Sequence, residues 1–116
     1  MKIKILKSKI HRATVTEACL DYEGSIAIDS QLLKKSGIST YEKVHVLNVT
    51  NGNRLETYAI PSSKTGHICI NGAAAHLVSP GDIVIIVSYG EIKIVDAKKI
   101  HPQIVFVDNK NKIISK

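Results

Sequence analysis

The sequence predicts a small, mainly β domain, a barrel or a sandwich, carrying one clear helix. Three observations point there. Apolar residues recur at a period of two in several short segments, as they do when successive side chains face opposite sides of a strand. Turn residues separate those segments. Hydrophobic residues make up 44% of the 116-residue chain, yet there is no Trp and a single Phe, so the core has to be built from Ile, Val, Leu and Ala. A chain of this length fits one domain, 1–116, that buries about two-thirds of its unfolded surface.

The elements follow in order. Ile3, Ile5 and the residues up to Val15 alternate as a first strand. Asp29 or Ser30 can cap a helix over QLLKK, and Gly37 can take the left-handed position that ends it. Val44 and Val46, then Leu55, Thr57 and Ala59, mark two strands joined through Asn51-Gly52, read as a two-residue hairpin turn. Pro61 should end the second of them. The stretch 71–76 (NGAAAH) reads as a turn entering a helical turn, and Ser79-Pro80-Gly81-Asp82 as a tight loop. The run IVIIV at 83–87 is apolar throughout and suits a strand buried on both faces or closing a barrel. Ile92 and Ile94, then Ile104 and Phe106, supply the last alternating segments. There is no internal repeat, linker or low-complexity tract.

Composition narrows the function classes. The net charge of +6 permits nucleic acid, an anionic surface or an acidic small substrate. The lysines are scattered, however: Lys2, Lys4, Lys7 and Lys9 near the start, Lys98-Lys99, then Lys110, Lys112 and Lys116. That is the pattern of solvated lysines that keep strand edges soluble. No run approaches the ~20 apolar residues of a membrane span. The opening MKIKILKSKIHRATV alternates charged and apolar residues where a secretory signal would be continuously apolar, so the cytoplasm is expected. Cys19 and Cys69 read as two buried thiols, neither a disulfide nor a zinc site. His11, His45, His67, His76 and His101 have no metal-motif spacing, so no metal is expected. A dinucleotide fingerprint and a phosphate loop are absent. Ser25 fails the hydrolase elbow, which needs G-x-S-x-G.

A different chemistry fits the adjacent pair in YEGSIAID (22–29). The Ser25 hydroxyl can attack the carbonyl of Gly24, converting amide to ester. Elimination then leaves dehydroalanine, and hydrolysis gives a pyruvoyl group and ammonia. Glycine before the serine removes the Cβ that would obstruct attack and opens backbone conformations closed to other residues. Taken alone the pair is only a turn. Further along, Arg54, Glu56, Tyr58 and Ile60 share one face of the strand RLETYAI. An Arg fork can grip a carboxylate, and a Tyr hydroxyl can donate a proton. Lys9 and His11 share a face of the first strand. Arg54 and Tyr58 covering a barrel rim is an equally good reading of their spacing.

Taken together, KSKIHRATVT (7–16), YEGSIAID, NVTNGNRLETYAI (48–60), NGAAAH, GDIVIIVSY (81–89) and HPQIVFVDNKN (101–111) resemble the aspartate α-decarboxylases, pyruvoyl enzymes that make β-alanine for pantothenate. The motifs stand in the family's order and cover nearly the whole chain. The resemblance implies a six-stranded double-psi β-barrel with one or two short helices, assembled as a homotetramer with active sites between subunits. It implies self-cleavage between Gly24 and Ser25 into chains 1–24 and 25–116. Ser25 becomes the pyruvoyl group, which forms a Schiff base with L-aspartate; neither a metal nor pyridoxal phosphate is needed. By motif match, Thr57 polarises the Gly24 carbonyl and Tyr58 is the proton donor. Arg54 and Lys9 meet the substrate carboxylate, and Thr57, His11, Tyr22, Asn71, Gly72, Ala73 and Ala74 wall the pocket. The departing carboxylate should face an apolar wall of Ile60 and Ile85. A regular strand puts Thr57 and Tyr58 on opposite faces; a bulge or a site built from two subunits would reconcile their roles. Neither nucleic acid nor a membrane is an expected partner. The rival reading is a non-enzymatic basic β-barrel that binds nucleic acid, against which stands an aromatic content of 4%.

Overall fold

In the computed structural model, which describes residues 1–115, the first alternating segment is strand β1 (Lys2–Thr14), followed two residues later by the short β2 (Glu17–Cys19). Strand β3 (Ser25–Asp29) leads directly into helix α1 (Ser30–Ser36). The Asp29 carboxylate accepts from the Gln31 N–H at 2.9 Å and caps the helix, while Gly37 closes it at φ 76°. The remaining strands are β4 (Lys43–Asn48), β5 (Arg54–Ser62), β6 (Ile68–Asn71), β7 (Ile83–Lys93), β8 (Gln103–Val107) and β9 (Ile113–Ile114). Two 3-10 segments, Gly72–Leu77 and Ile94–Lys99, follow β6 and β7. Lys116 lies outside the described residues.

The strands form one mixed sheet in the order β2-β6-β3-β5-β4-β7-β1-β8-β9. Its first margin, β2, is the direct continuation of β1. In the linker the Thr16 N–H donates to the Ile68 carbonyl at 2.8 Å, and the Ile68 N–H donates to Thr16 Oγ1 at 3.0 Å. The ladder is therefore drawn back on itself, and β6-β3-β5-β4-β7-β1 form a six-stranded barrel wall, with β2, β8 and β9 at its margins. Side chains from every wall strand meet inside: Ile10, Ile26, Ile28, Val44, Val46, Ala59, Ile68, Ile70, Val84 and Ile86. Leu32 of α1 plugs the core from outside the sheet.

Four expectations need correction. Ile94 does not continue the alternation of Ile92; β7 ends at Lys93, and Ile94, exposed, opens the second 3-10 segment. The β4–β5 connection spans residues 49–53, longer than a two-residue turn. The buried Asn48 side chain accepts from the N–H groups of Thr50 and Asn51 at 3.0 and 3.3 Å, which turns the chain out of the ladder before Gly52, at φ 80°. Pro61 does not end β5, which runs to Ser62. Ala59 still bonds to the chain before β4, its N–H donating to the Glu42 carbonyl and its carbonyl accepting from the Tyr41 N–H, but beyond it only β3 flanks the strand, an edge where a missing N–H is tolerated. In β8 the buried face carries Val105 and Val107, and Ile104 points to solvent. Both cysteines are free thiols; Cys69 is buried and Cys19 partly so. No described helix is long and apolar enough to cross a membrane.

A candidate active site at the Gly24–Ser25 bond

Strand β3 begins at Ser25, between β6 and β5. Its antiparallel partner on β6 is Asn71, so the two side chains sit opposite each other. Ser25 is 3% exposed, although Gly24 just before it is open to solvent. The Asn71 Nδ2–H donates to Ser25 Oγ at 2.9 Å, and Asn71 Oδ1 accepts from the Cys69 thiol at 3.2 Å. The amide thereby fixes the hydroxyl oxygen and leaves the O–H proton free to be given up.

Gly72, the next residue, holds the other side of the bond. At φ 73° it adopts a conformation that disfavours side chains, and a Cβ there would lie 2.8 Å from Gly24 Cα and 2.9 Å from Gly24 N. The 71–72 turn therefore presses directly on the 22–24 segment. Gly24 itself is different from what the sequence suggests. Its φ is not left-handed, and a Cβ built on it meets nothing within 4 Å. The close approach that demands glycine lies at 72.

In the parallel β3–β5 ladder Ile26 pairs with Ala59; one step back along that register sets Ser25 level with Tyr58. Ser25, Gly24, Tyr22, Tyr58, Ile60 and Asn71 line one cavity of about 680 Å³. Tyr58 is 37% exposed, and its ring packs against Tyr41 with centroids 6.1 Å apart. Tyr41 stands at φ 68°, where a bulky L-residue carries roughly 1–2 kcal/mol of strain.

The aspartate decarboxylase family model matches residues 1–114. The chain belongs to the aspartate decarboxylase family. It is 57% identical to the aspartate 1-decarboxylase of Acetivibrio thermocellus, covering 99% of this chain and 92% of that one. The aspartate 1-decarboxylase of Campylobacter jejuni is 58% identical, over 96% of this chain and 88% of its own. Among solved structures, a designed symmetric protein, mkDPBB_sym_86, aligns over 71% of this chain and 91% of its own at 18% identity and a TM-score of 0.47.

Not every residue that the family resemblance assigns to the site converges on Ser25 within one chain. Arg54 lies four residues from Tyr58 along β5, about 13 Å at strand rise, and does not reach the cavity. Thr57 turns inward with Leu55 and Ala59, while Tyr58 turns outward, and the β4–β5 register is unbroken from Arg54 to Tyr58. The bulge that could have reconciled their roles is therefore not there. Lys9 sits in β1 between Val87 and Ile104. His11 packs edge-on against Phe106 at 5.6 Å, beside a second cavity of about 310 Å³. A register shift between Ile10 and Ala13, with Arg12 at φ 61°, re-aims the strand at that point. Ala73 and Ala74 follow Gly72 in the 3-10 segment, outside the cavity lining, and Ile85 pairs with Leu47 away from it.

The fold also brings to the cavity residues that sequence spacing did not single out: Tyr41, Glu17, His67 and Cys69. His67 Nε2 lies 2.9 Å from Glu17 Oε1, and its Nδ1 lies 2.7 Å from Ser62 Oγ. Burial pushes the Cys69 thiol above its ordinary pKa, and the Glu17 carboxylate adds to the shift. The only sequence signal was His67 and Cys69 two apart in a strand pattern; Glu17 reaches Cys69 through the β2–β6 pairing.

Proposed function

We propose that the chain cleaves itself between Gly24 and Ser25 and then decarboxylates L-aspartate to β-alanine and CO2, in the cytoplasm, as a step toward pantothenate. The observation that carries this reading is the Asn71–Ser25 contact: a buried hydroxyl, its oxygen oriented by an amide, directly after a solvent-exposed glycine. Ser25 Oγ attacks the Gly24 carbonyl carbon, the C–N bond breaks, and the amine of Ser25 is released as the ester forms. Elimination expels the Gly24 carboxylate and leaves dehydroalanine at 25. Water, admitted on the exposed Gly24 side, hydrolyses this to the pyruvoyl group and ammonia.

Once formed, the pyruvoyl group supplies a ketone for the substrate amine and an electron sink for the pair left when CO2 departs. The residues around it do the positioning. Tyr58, beside Ser25 in the same cavity, is placed to donate a proton to the substrate Cα, a contribution of typically ~10²–10⁴-fold. The Arg54 fork, with Lys9, holds the carboxylate that stays; gripping the one that leaves would stabilise the ground state instead. Ile60 lines the cavity and offers the apolar side against which the departing carboxylate is released.

Arg54, Lys9 and His11 do not line the cavity of their own chain, and this favours a homo-oligomer in which a second copy brings these side chains to the cavity. A tetramer is the assembly the family resemblance implies. The reading is tested with L-aspartate and purified protein, measuring β-alanine. Formation by the wild type and none by Ser25→Ala is the expected result. Decarboxylation by Ser25→Ala would remove Ser25 from the chemistry.

A further inference from the structure

We propose that Glu17, His67 and Cys69 form a binding site for a soft divalent cation of the zinc class, with its fourth position open to the cavity that contains Ser25. The three donor atoms lie within 4.8 Å of one another and come from separate places: β2, the turn before β6, and β6. A thiolate, an imidazole and a carboxylate are the donor types that zinc-class cations take. In a tetrahedral site with the usual bond lengths, donors stand roughly 3.3–3.5 Å apart, so His67 Nε2 and Glu17 Oε1, now 2.9 Å apart, would open slightly, and no donor pair, all being within 4.8 Å, would have to close by more than about 1.5 Å.

The imidazole is already oriented. Ser62 Oγ on His67 Nδ1 at 2.7 Å directs Nε2 toward Glu17, the arrangement in which metal-bound histidines use their second nitrogen. Lys64 Nζ, 3.9 Å from Glu17 Oε1, is the cation a metal would displace, and its mostly exposed side chain is free to swing into solvent. Coordination sends the Cys69 thiol proton to solvent. Asn71 Oδ1 then loses that donor, which couples the cation to the amide that holds Ser25 Oγ. The site does not depend on the decarboxylase reading, because its donors are in place whether or not Ser25 is processed.

Co²⁺ titration of chelator-treated, full-length protein tests the proposal. One Co²⁺ per chain should bind, with a thiolate-to-cobalt charge-transfer absorption. That band should vanish in Cys69→Ser and persist in Cys19→Ser. Ser62→Ala, which touches the cation only through His67, should weaken binding about 10–100-fold. X-ray absorption on Zn²⁺-loaded wild type, which needs no variant, should show one sulfur at about 2.3 Å and lighter donors at about 2.0–2.2 Å. A zinc shell without sulfur, a band that survives Cys69→Ser, or unchanged affinity in Ser62→Ala would overturn the assignment.

Discussion

Gly72→Ala tests how the cleavage site is held. The new methyl would start 2.8 Å from Gly24 Cα, and ordinary carbon contact begins near ~3.5 Å. Residues 22–24 would have to move outward by roughly 0.7 Å while Asn71, one residue away, keeps its hold on Ser25 Oγ. The left-handed backbone at 72 adds ~1–2 kcal/mol of strain for an L-residue. A misplacement near 1 Å costs about 10²-fold in a reaction that depends on aligned groups, so self-cleavage should slow by roughly 10–100-fold. The assay follows the uncut chain by denaturing electrophoresis or intact mass from the moment of synthesis or refolding. Gly24→Ala is the control. Its Cβ meets nothing within 4 Å and its φ is ordinary, so its stability should stay within ~0.5 kcal/mol of wild type. Wild-type cleavage kinetics in Gly72→Ala would refute the idea that the 71–72 turn aligns the bond.

Further outcomes follow from the same geometry. Tyr58→Phe should cleave normally but lose ~10²–10⁴-fold in kcat; unchanged turnover would remove Tyr58 as the proton donor. Arg54→Lys loses the planar fork and should raise KM for aspartate about tenfold or more, and steady-state kinetics with an unaltered KM would argue against its role. Tyr41→Asn keeps a residue that tolerates the left-handed region and gives up a ring that is 74% exposed. Its thermal midpoint should rise by a few degrees for about 1 kcal/mol of relieved strain, and a lower midpoint would mean that the Tyr41–Tyr58 contact outweighs the strain.

The strands were legible where one face is buried and the other wet, as in Val44 and Val46 or Leu55 and Ala59, because the pleat converts burial into a period of two. The helix was legible from its caps, Asp29 and Gly37, which act within a few residues. In β8 both faces are apolar, so periodicity could not tell Val105 from Ile104. The 49–53 connection was misread because the Asn48 side chain, not the Asn51-Gly52 pair, sets where the ladder stops. Ser25, Tyr58 and Asn71 lie in the motifs that carry the family resemblance, and they line one cavity. Glu17, His67 and Cys69 were not singled out, since their meeting depends on β2 pairing with β6 across fifty residues. The opposite facings of Thr57 and Tyr58 were visible in the sequence, and β5 is regular across both residues.

Intact mass spectrometry of the purified active protein tests most directly whether Ser25 becomes the reactive group through cleavage at Gly24. Two chains, 1–24 and 25–116, with the second blocked at its N-terminus by a ketone that borohydride reduces, are the predicted result. A single uncut chain of 116 residues that still forms β-alanine from aspartate would contradict it.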